Sequence, residues 1–134
     1  LISEQVPDKL GRTIEPIKSL TSHIKPIIKS SFSCMLEPRF KQKVSSLGSI
    51  DGFVIAGLET HICVYQTVRD LLLEGHKVEV AADAVASRNV QNKEIAIDRI
   101  NNVGGEISSA EMSLFHLQET SKSPSFKELS KLVK

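Results

Sequence analysis

Cys63 is the side chain of this sequence best suited to act as a nucleophile. It lies in the stretch Gly57-Leu58-Glu59-Thr60-His61-Ile62-Cys63-Val64, directly after the apolar run Phe53-Val54-Ile55-Ala56. That run is bounded by Asp51-Gly52 and Gly57 and has the length and composition of a buried parallel strand. Ile62, Tyr65, Val68, Leu71 and Leu72 then recur at helical spacing until Gly75, so a helix is expected to begin at once, capped by the Thr60 hydroxyl. Cys63 then falls in the first turn, where backbone N–H groups and the positive end of the helix dipole favour a thiolate over a thiol. The competing reading is packing, because cysteine is also a small hydrophobe and its spacing alone favours a structural role.

Other reactive side chains have blander readings on their own. His61 stands two residues before Cys63, a spacing that does not put the pair on one helical face, and reads as a partly exposed first-turn histidine. Lys29 follows the short strand candidate Pro26-Ile27-Ile28 and reads on spacing as a solvated cation. Asp83 ends the apolar run Lys77 to Ala82 and has the type of a residue that caps a following turn. Cys34 has no base nearby in sequence and reads as structural.

The elements that must position these groups alternate. Strand candidates at Pro26–Ile28, Phe53–Gly57, Lys77–Ala82 and Glu106–Ser108 are separated by helical patterns. These carry Phe40, Val44 and Leu47; Tyr65, Val68 and Leu71; and Ile95, Ile97, Ile100 and Val103. Ser108 or Ser109 caps a helix with Met112, Leu114, Phe115 and Leu117, and Phe126, Leu129, Leu132 and Val133 mark a final amphipathic helix after Pro124. Val6 to Leu20, with Pro7, Gly11 and Pro16, reads as irregular with at most one helical turn. Such alternation implies an α/β class, with a parallel sheet covered by helices on both faces in a Rossmann-like three-layer arrangement. Sites in such sheets gather beyond the carboxyl ends of the strands, and both Lys29 and Cys63 follow a strand directly.

With 134 residues, 40% hydrophobic and 25% charged, the chain has the size and composition of one globular domain. Seventeen basic against 16 acidic residues give a formal net charge of +1 without long blocks, so no electrostatic footprint for nucleic acid or an anionic membrane stands out. No apolar stretch reaches the length of a spanning helix. Two cysteines in an α/β pattern are too few for a disulfide scaffold and point to a reducing compartment, with the cytoplasm as the expectation.

Several stretches in order resemble the isochorismatase-like hydrolases, the cysteine hydrolase superfamily. They are Gly57 to Val64 with Thr67, Asp70 and Gly75, and then Val80-Ala81-Ala82-Asp83-Ala84-Val85-Ala86-Ser87-Arg88. Glu4-Gln5 with Leu10-Gly11 and the tail Pro124 to Lys134 are most similar to eukaryotic isochorismatase domain-containing proteins and kinetoplastid relatives. The resemblance implies that Cys63 is the nucleophile and that Lys29, in the pattern Lys29-Ser30-Ser31-Phe32-Ser33, is the catalytic lysine, with Phe32 and Thr60 at the pocket. It implies a non-proline cis bond between Leu58 and Glu59, and an oxyanion hole of backbone N–H groups from Glu59 to Cys63. Asp83 would support the site rather than supply its base.

The family's general-base aspartate sits on an earlier strand that no part of this sequence matches. The resemblance therefore implies one isochorismatase-like domain over residues 1–134 that lacks its N-terminal strand–helix unit. Metal-dependent nicotinamidases of the superfamily carry an Asp-x-His motif where this chain has Glu4-Gln5-Val6-Pro7, and His23 is the one nearby imidazole, so neither metal nor cofactor is expected. Isochorismatase proper cleaves a vinyl ether without such a cysteine. The implied activity is therefore hydrolysis of a small amide or related C–N substrate through a thioester, by a homo-oligomeric enzyme. An inactive oligomeric scaffold is the alternative.

Overall fold

The structure is a computed structural model and describes residues 1–133; Lys134, the last residue of the tail motif, lies outside the described residues. It is an α/β protein whose parallel strands form two sheets flanked by helices, and its residues group into two compact units, Leu1–Asp51 and Gly52–Lys134.

In the first unit β1 (Ser3–Gln5) and β2 (Ile27–Lys29) run parallel, with Ser3 opposite Ile27 and Gln5 opposite Lys29. The connection expected to be irregular contains two short helices, α1 (Pro7–Leu10) and α2 (Glu15–Leu20). Pro7 and Pro16 start these helices rather than break them, because a first-turn residue has no intrahelical acceptor for the N–H that proline lacks. Glu4 ties this connection to β1. Its Oε1 accepts hydrogen bonds from the Thr13 backbone N–H and the Thr13 hydroxyl, both at 2.8 Å, and Arg12 Nη1 lies 3.7 Å from its Oε2. The Thr13 backbone bond, the Thr13 hydroxyl and the Arg12 charge hold the Glu4 carboxyl below its ordinary range, against the opposing effect of burial. After β2 the Ser33 hydroxyl accepts from the Met35 N–H and starts a 3₁₀ turn at Cys34–Leu36. Helix α3 (Pro38–Ser45) then buries Phe40 and Val44. Cys34 is buried 3.3 Å from the Ser3 hydroxyl.

The second unit is a run of two strand–helix–strand crossovers. Its strands β3 (Phe53–Leu58), β4 (Val78–Ala86) and β5 (Glu106–Ser108) are parallel and lie in sequence order, joined through α4 (Tyr65–Leu73) and α5 (Val90–Asn102). Val68, Leu71, Val80 and Ile100 have no exposed surface and form the centre of its core, with α5 packed on α4, β4 and β5. Gly105 permits this close packing: a Cβ there would stand 2.7 Å from Ile100 Cγ2 and 3.2 Å from Val68 Cγ1. The β3 run, expected to be buried on both faces, alternates instead, with Val54, Ala56 and Leu58 exposed, because one face alone is covered. Strand β4 continues through Asp83 to Ala86. The register slips beside it, Ile55 pairing with Val80 but Gly57 with Val85, so β4 bulges there. Asp83 Oδ1 accepts the Ala110 N–H at 2.8 Å, so it caps the start of α6 (Ala110–Gln118), far along the chain, rather than its own following turn. Ser109 is the side-chain cap of the same helix, accepting from the Met112 N–H. The tail carries α7 (Phe126–Leu132), whose Phe126 ring meets Phe115 edge-on at 6.2 Å.

Candidate active site

Cys63 is held at the carboxyl end of β3 by a turn wider than the one its sequence suggested. Gly57, with φ of +124°, lets the strand end sharply at the bulge, and the Leu58–Glu59 peptide bond that follows is cis. Thr60–Val64 is a π-helical turn: the Val64 N–H bonds to the Glu59 carbonyl at 3.2 Å and the Tyr65 N–H reaches the Thr60 carbonyl. Such turns widen a helix locally and recur at functional sites. Cys63, partly exposed, therefore sits two residues ahead of α4 instead of in its first turn.

One expectation for this turn is corrected. Thr60 is not the cap: its side chain is completely buried and its hydroxyl finds no hydrogen-bond partner among the described residues. In the same turn the Ile62 N–H bonds to the Glu59 carbonyl at 3.1 Å.

Beside the cis bond lies a polar chain that the sequence offered only as separate residues. Arg88 Nε stands 3.0 Å from Glu59 Oε1. Glu59 Oε2 is buried 3.6 Å from His61 Nε2, an ion-pair distance when the ring is protonated but too long for a hydrogen bond. The other ring nitrogen, Nδ1, is 3.0 Å from the Ser87 hydroxyl, either atom donating according to the tautomer. Ser87 and Arg88 follow β4 directly, so the chain links the ends of two neighbouring strands. The motif Ser87-Arg88 had marked the spot; the distance from Glu59 in sequence concealed the partnership.

Lys29 is the last residue of β2 in the first unit, and it is buried rather than solvated. Burying an ammonium is costly unless its donors are satisfied. Here Nζ donates to Gln5 Oε1 at 2.5 Å, to the Ser31 carbonyl at 2.9 Å and to the Phe32 carbonyl at 2.8 Å. Gln5 also donates its amide to the Ser30 carbonyl at 2.8 Å, so it clamps the β2 end from the neighbouring strand. Phe32 is half-exposed in the same unit. Leu58, Glu59, Thr60 and Cys63 all belong to the second unit. Among the described residues no cluster of three or more His, Cys, Asp or Glu side chains has metal-binding geometry.

Comparison with known proteins decides the family. The isochorismatase domain profile matches residues 11–112. The chain belongs to the isochorismatase family. This family member is 34% identical over 137 residues to the secreted isochorismatase effector Isc1 of Phytophthora sojae, covering all of this chain and 65% of that one. Among solved structures it superposes on the MAR1 ribonuclease of Caenorhabditis elegans with a TM-score of 0.87 at 32% identity, over 98% of this chain and 67% of that one. It superposes on the nicotinamidase PncA of Bacillus subtilis with a TM-score of 0.58 at 26% identity, over 70% of this chain and 54% of that one. The chain spans about half to two thirds of the length of the curated relatives it matches, vertebrate isochorismatase domain-containing proteins among them.

Proposed function

We propose that this isochorismatase-family chain serves a cysteine hydrolase that opens the C–N bond of a small amide or related substrate through a thioester on Cys63. The observation that carries the reading is the Cys63 turn: a partly exposed cysteine at the carboxyl end of a parallel strand, in a π-helical turn ahead of a helix. The thiolate attacks the substrate carbonyl, and backbone N–H groups among Glu59, Thr60, His61 and Cys63 receive the developing oxyanion. On the family pattern alone, Lys29 is proposed as the catalytic lysine. The C–N bond then breaks, the amine leaves with a proton, and water cleaves the thioester to regenerate the thiol.

The substrate class rests on three supports. The family is generally hydrolytic, a solved neighbour is a nicotinamidase, and a nucleophilic cysteine suits amide cleavage, whereas the opening of a vinyl ether uses none. Another neighbour is named a ribonuclease, but the near-neutral charge of +1, evenly spread, favours a small molecule over nucleic acid. No helix among the described residues is long and apolar enough to cross a membrane, and neither cysteine is in a disulfide, which fits a cytoplasmic enzyme. A second reading, an oligomeric scaffold without catalysis, is favoured by Met112 and Leu117 on α6 and Leu132 on α7, exposed by 62%, 77% and 78%. The same residues suit a homo-oligomeric enzyme.

Replacing Cys63 by alanine separates the readings. The enzyme reading expects C63A to lose turnover across a panel of small primary amides while its circular dichroism and Tm stay unchanged. Turnover retained by C63A contradicts it, and a wild-type chain that is inert on the whole panel yet oligomeric by size-exclusion chromatography supports the scaffold.

A further inference from the structure

We propose that Glu59, Arg88, His61 and Ser87 form a clamp that positions Cys63, with Glu59 as its hub; the proposal rests on the reading of Cys63 as the reactive thiol. Glu59 does two things at once. Its backbone carbonyl accepts the N–H groups of Ile62 and Val64, the residues on either side of Cys63, at 3.1 and 3.2 Å. Its carboxylate is held by Arg88 Nε at 3.0 Å. Any displacement of Glu59 therefore carries the Cys63 backbone with it. His61 supplies a second tie from the same turn, through Nδ1 to the Ser87 hydroxyl at 3.0 Å, and its other nitrogen closes off Glu59 Oε2 at 3.6 Å. Two adjacent residues after β4 thus grip His61 of the π-helical turn and Glu59 just ahead of it, and the grip spans neighbouring strand ends where a bulge has already broken the ladder.

A purely structural role makes a different expectation. The Arg88 side chain is 81% exposed, and an ion pair of that exposure contributes little to stability. Its geometry matters if the position of the thiol matters, since misplacing a reacting group by an ångström can lower a rate by about 10²-fold. The side chains of Glu59, Arg88, His61 and Ser87 are therefore positioning groups that act through the turn, whatever the backbone N–H groups of Glu59 and His61 do at the oxyanion.

The test follows alkylation of Cys63 by iodoacetamide, in which the thiolate sulfur displaces iodide, a C–S bond forming as the C–I bond breaks. Peptide mass spectrometry separates the Cys63 product from any at Cys34. The assay needs no substrate, so its outcome is independent of whether C63A loses turnover. R88A and S87A are each expected to slow Cys63 alkylation by about tenfold with a Tm shift of no more than about 4 °C, while R88K and S87T recover most of the rate. E59Q is expected to slow it further, and should it unfold, the exposed R88A variant still decides the matter. Rates within twofold of wild type in R88A and S87A overturn the proposal. So do R88K and S87T as slow as the alanine variants, and so does faster alkylation, which would mean that the clamp shields Cys63 rather than positions it.

Discussion

The Gln5–Lys29 contact is the clearest quantitative consequence of the site. The Lys29 ammonium donates to the Ser31 and Phe32 carbonyls and to Gln5 Oε1. Two of these belong to the backbone, so Gln5 is the acceptor that a substitution can remove. Gln5→Leu keeps the volume and deletes two bonds. Loss of the acceptor to a buried charged donor costs about 1.5–3 kcal/mol, and loss of the bond to the Ser30 carbonyl about 0.5–1.5 kcal/mol. Lys29→Met keeps the length of the side chain and removes the charge. In that background Q5L no longer removes an acceptor from the ammonium but still loses the Ser30 bond, and is expected to cost about 1 kcal/mol. The two substitutions should therefore couple by about 1.5–3 kcal/mol in a double-mutant cycle. Urea unfolding followed by far-UV circular dichroism measures all four proteins, with equal slopes on denaturant confirming a common unfolded state. A coupling within about 0.5 kcal/mol of zero would refute the reasoning, because Gln5 would then hold the strand end without supporting the ammonium.

Two further outcomes test the packing and the electrostatics. Gly105→Ala places a methyl 2.7 Å from Ile100 Cγ2 in the closed core, and is expected to destabilise by about 1–3 kcal/mol; adding I100L, which removes the Cγ2 methyl, should recover part of the loss, and a neutral G105A would contradict the close approach. Glu4 tests pH dependence. Its folded carboxyl is held below the unfolded value of about 4.3, so its contribution is complete above that pH and is lost as pH falls through the folded value. Glu4→Gln should therefore cost about 1.5–3 kcal/mol at pH 7, and the gap between wild type and E4Q in urea midpoint should close on acidification; a gap independent of pH would contradict it.

Much of the second unit was legible because its signals are local. An apolar run ending at Gly57, a helical stripe from Ile62 to Leu72 and a glycine at 75 suffice to place β3, Cys63 and α4. The π-helical turn was not legible, since its width comes from backbone pairing five residues back, which no side-chain pattern encodes. Thr60 misled for the same reason: it has a capping residue's chemistry, but the turn buries it. Pro7 and Pro16 read as breakers because the same residue that stops a helix interior can open one. Asp83 looked like a strand end, and its partner, the Ala110 N–H, lies 27 residues away. Lys29 shows the limit most sharply. Its residue type and position suggested a solvated cation, and only the family pattern singled it out, because its principal side-chain partner is Gln5, 24 residues earlier.

The most direct measurement on the site is to trap the acyl group. The protein is mixed with p-nitrophenyl acetate, quenched in acid and digested for peptide mass spectrometry. A nucleophilic Cys63 should attack the ester carbonyl, release nitrophenolate and carry a hydrolysable acetyl group on its sulfur. That adduct should disappear in C63A. An unmodified Cys63 at saturating ester, or acetylation confined to Cys34 and lysine side chains, would contradict the assignment of Cys63 as the nucleophile.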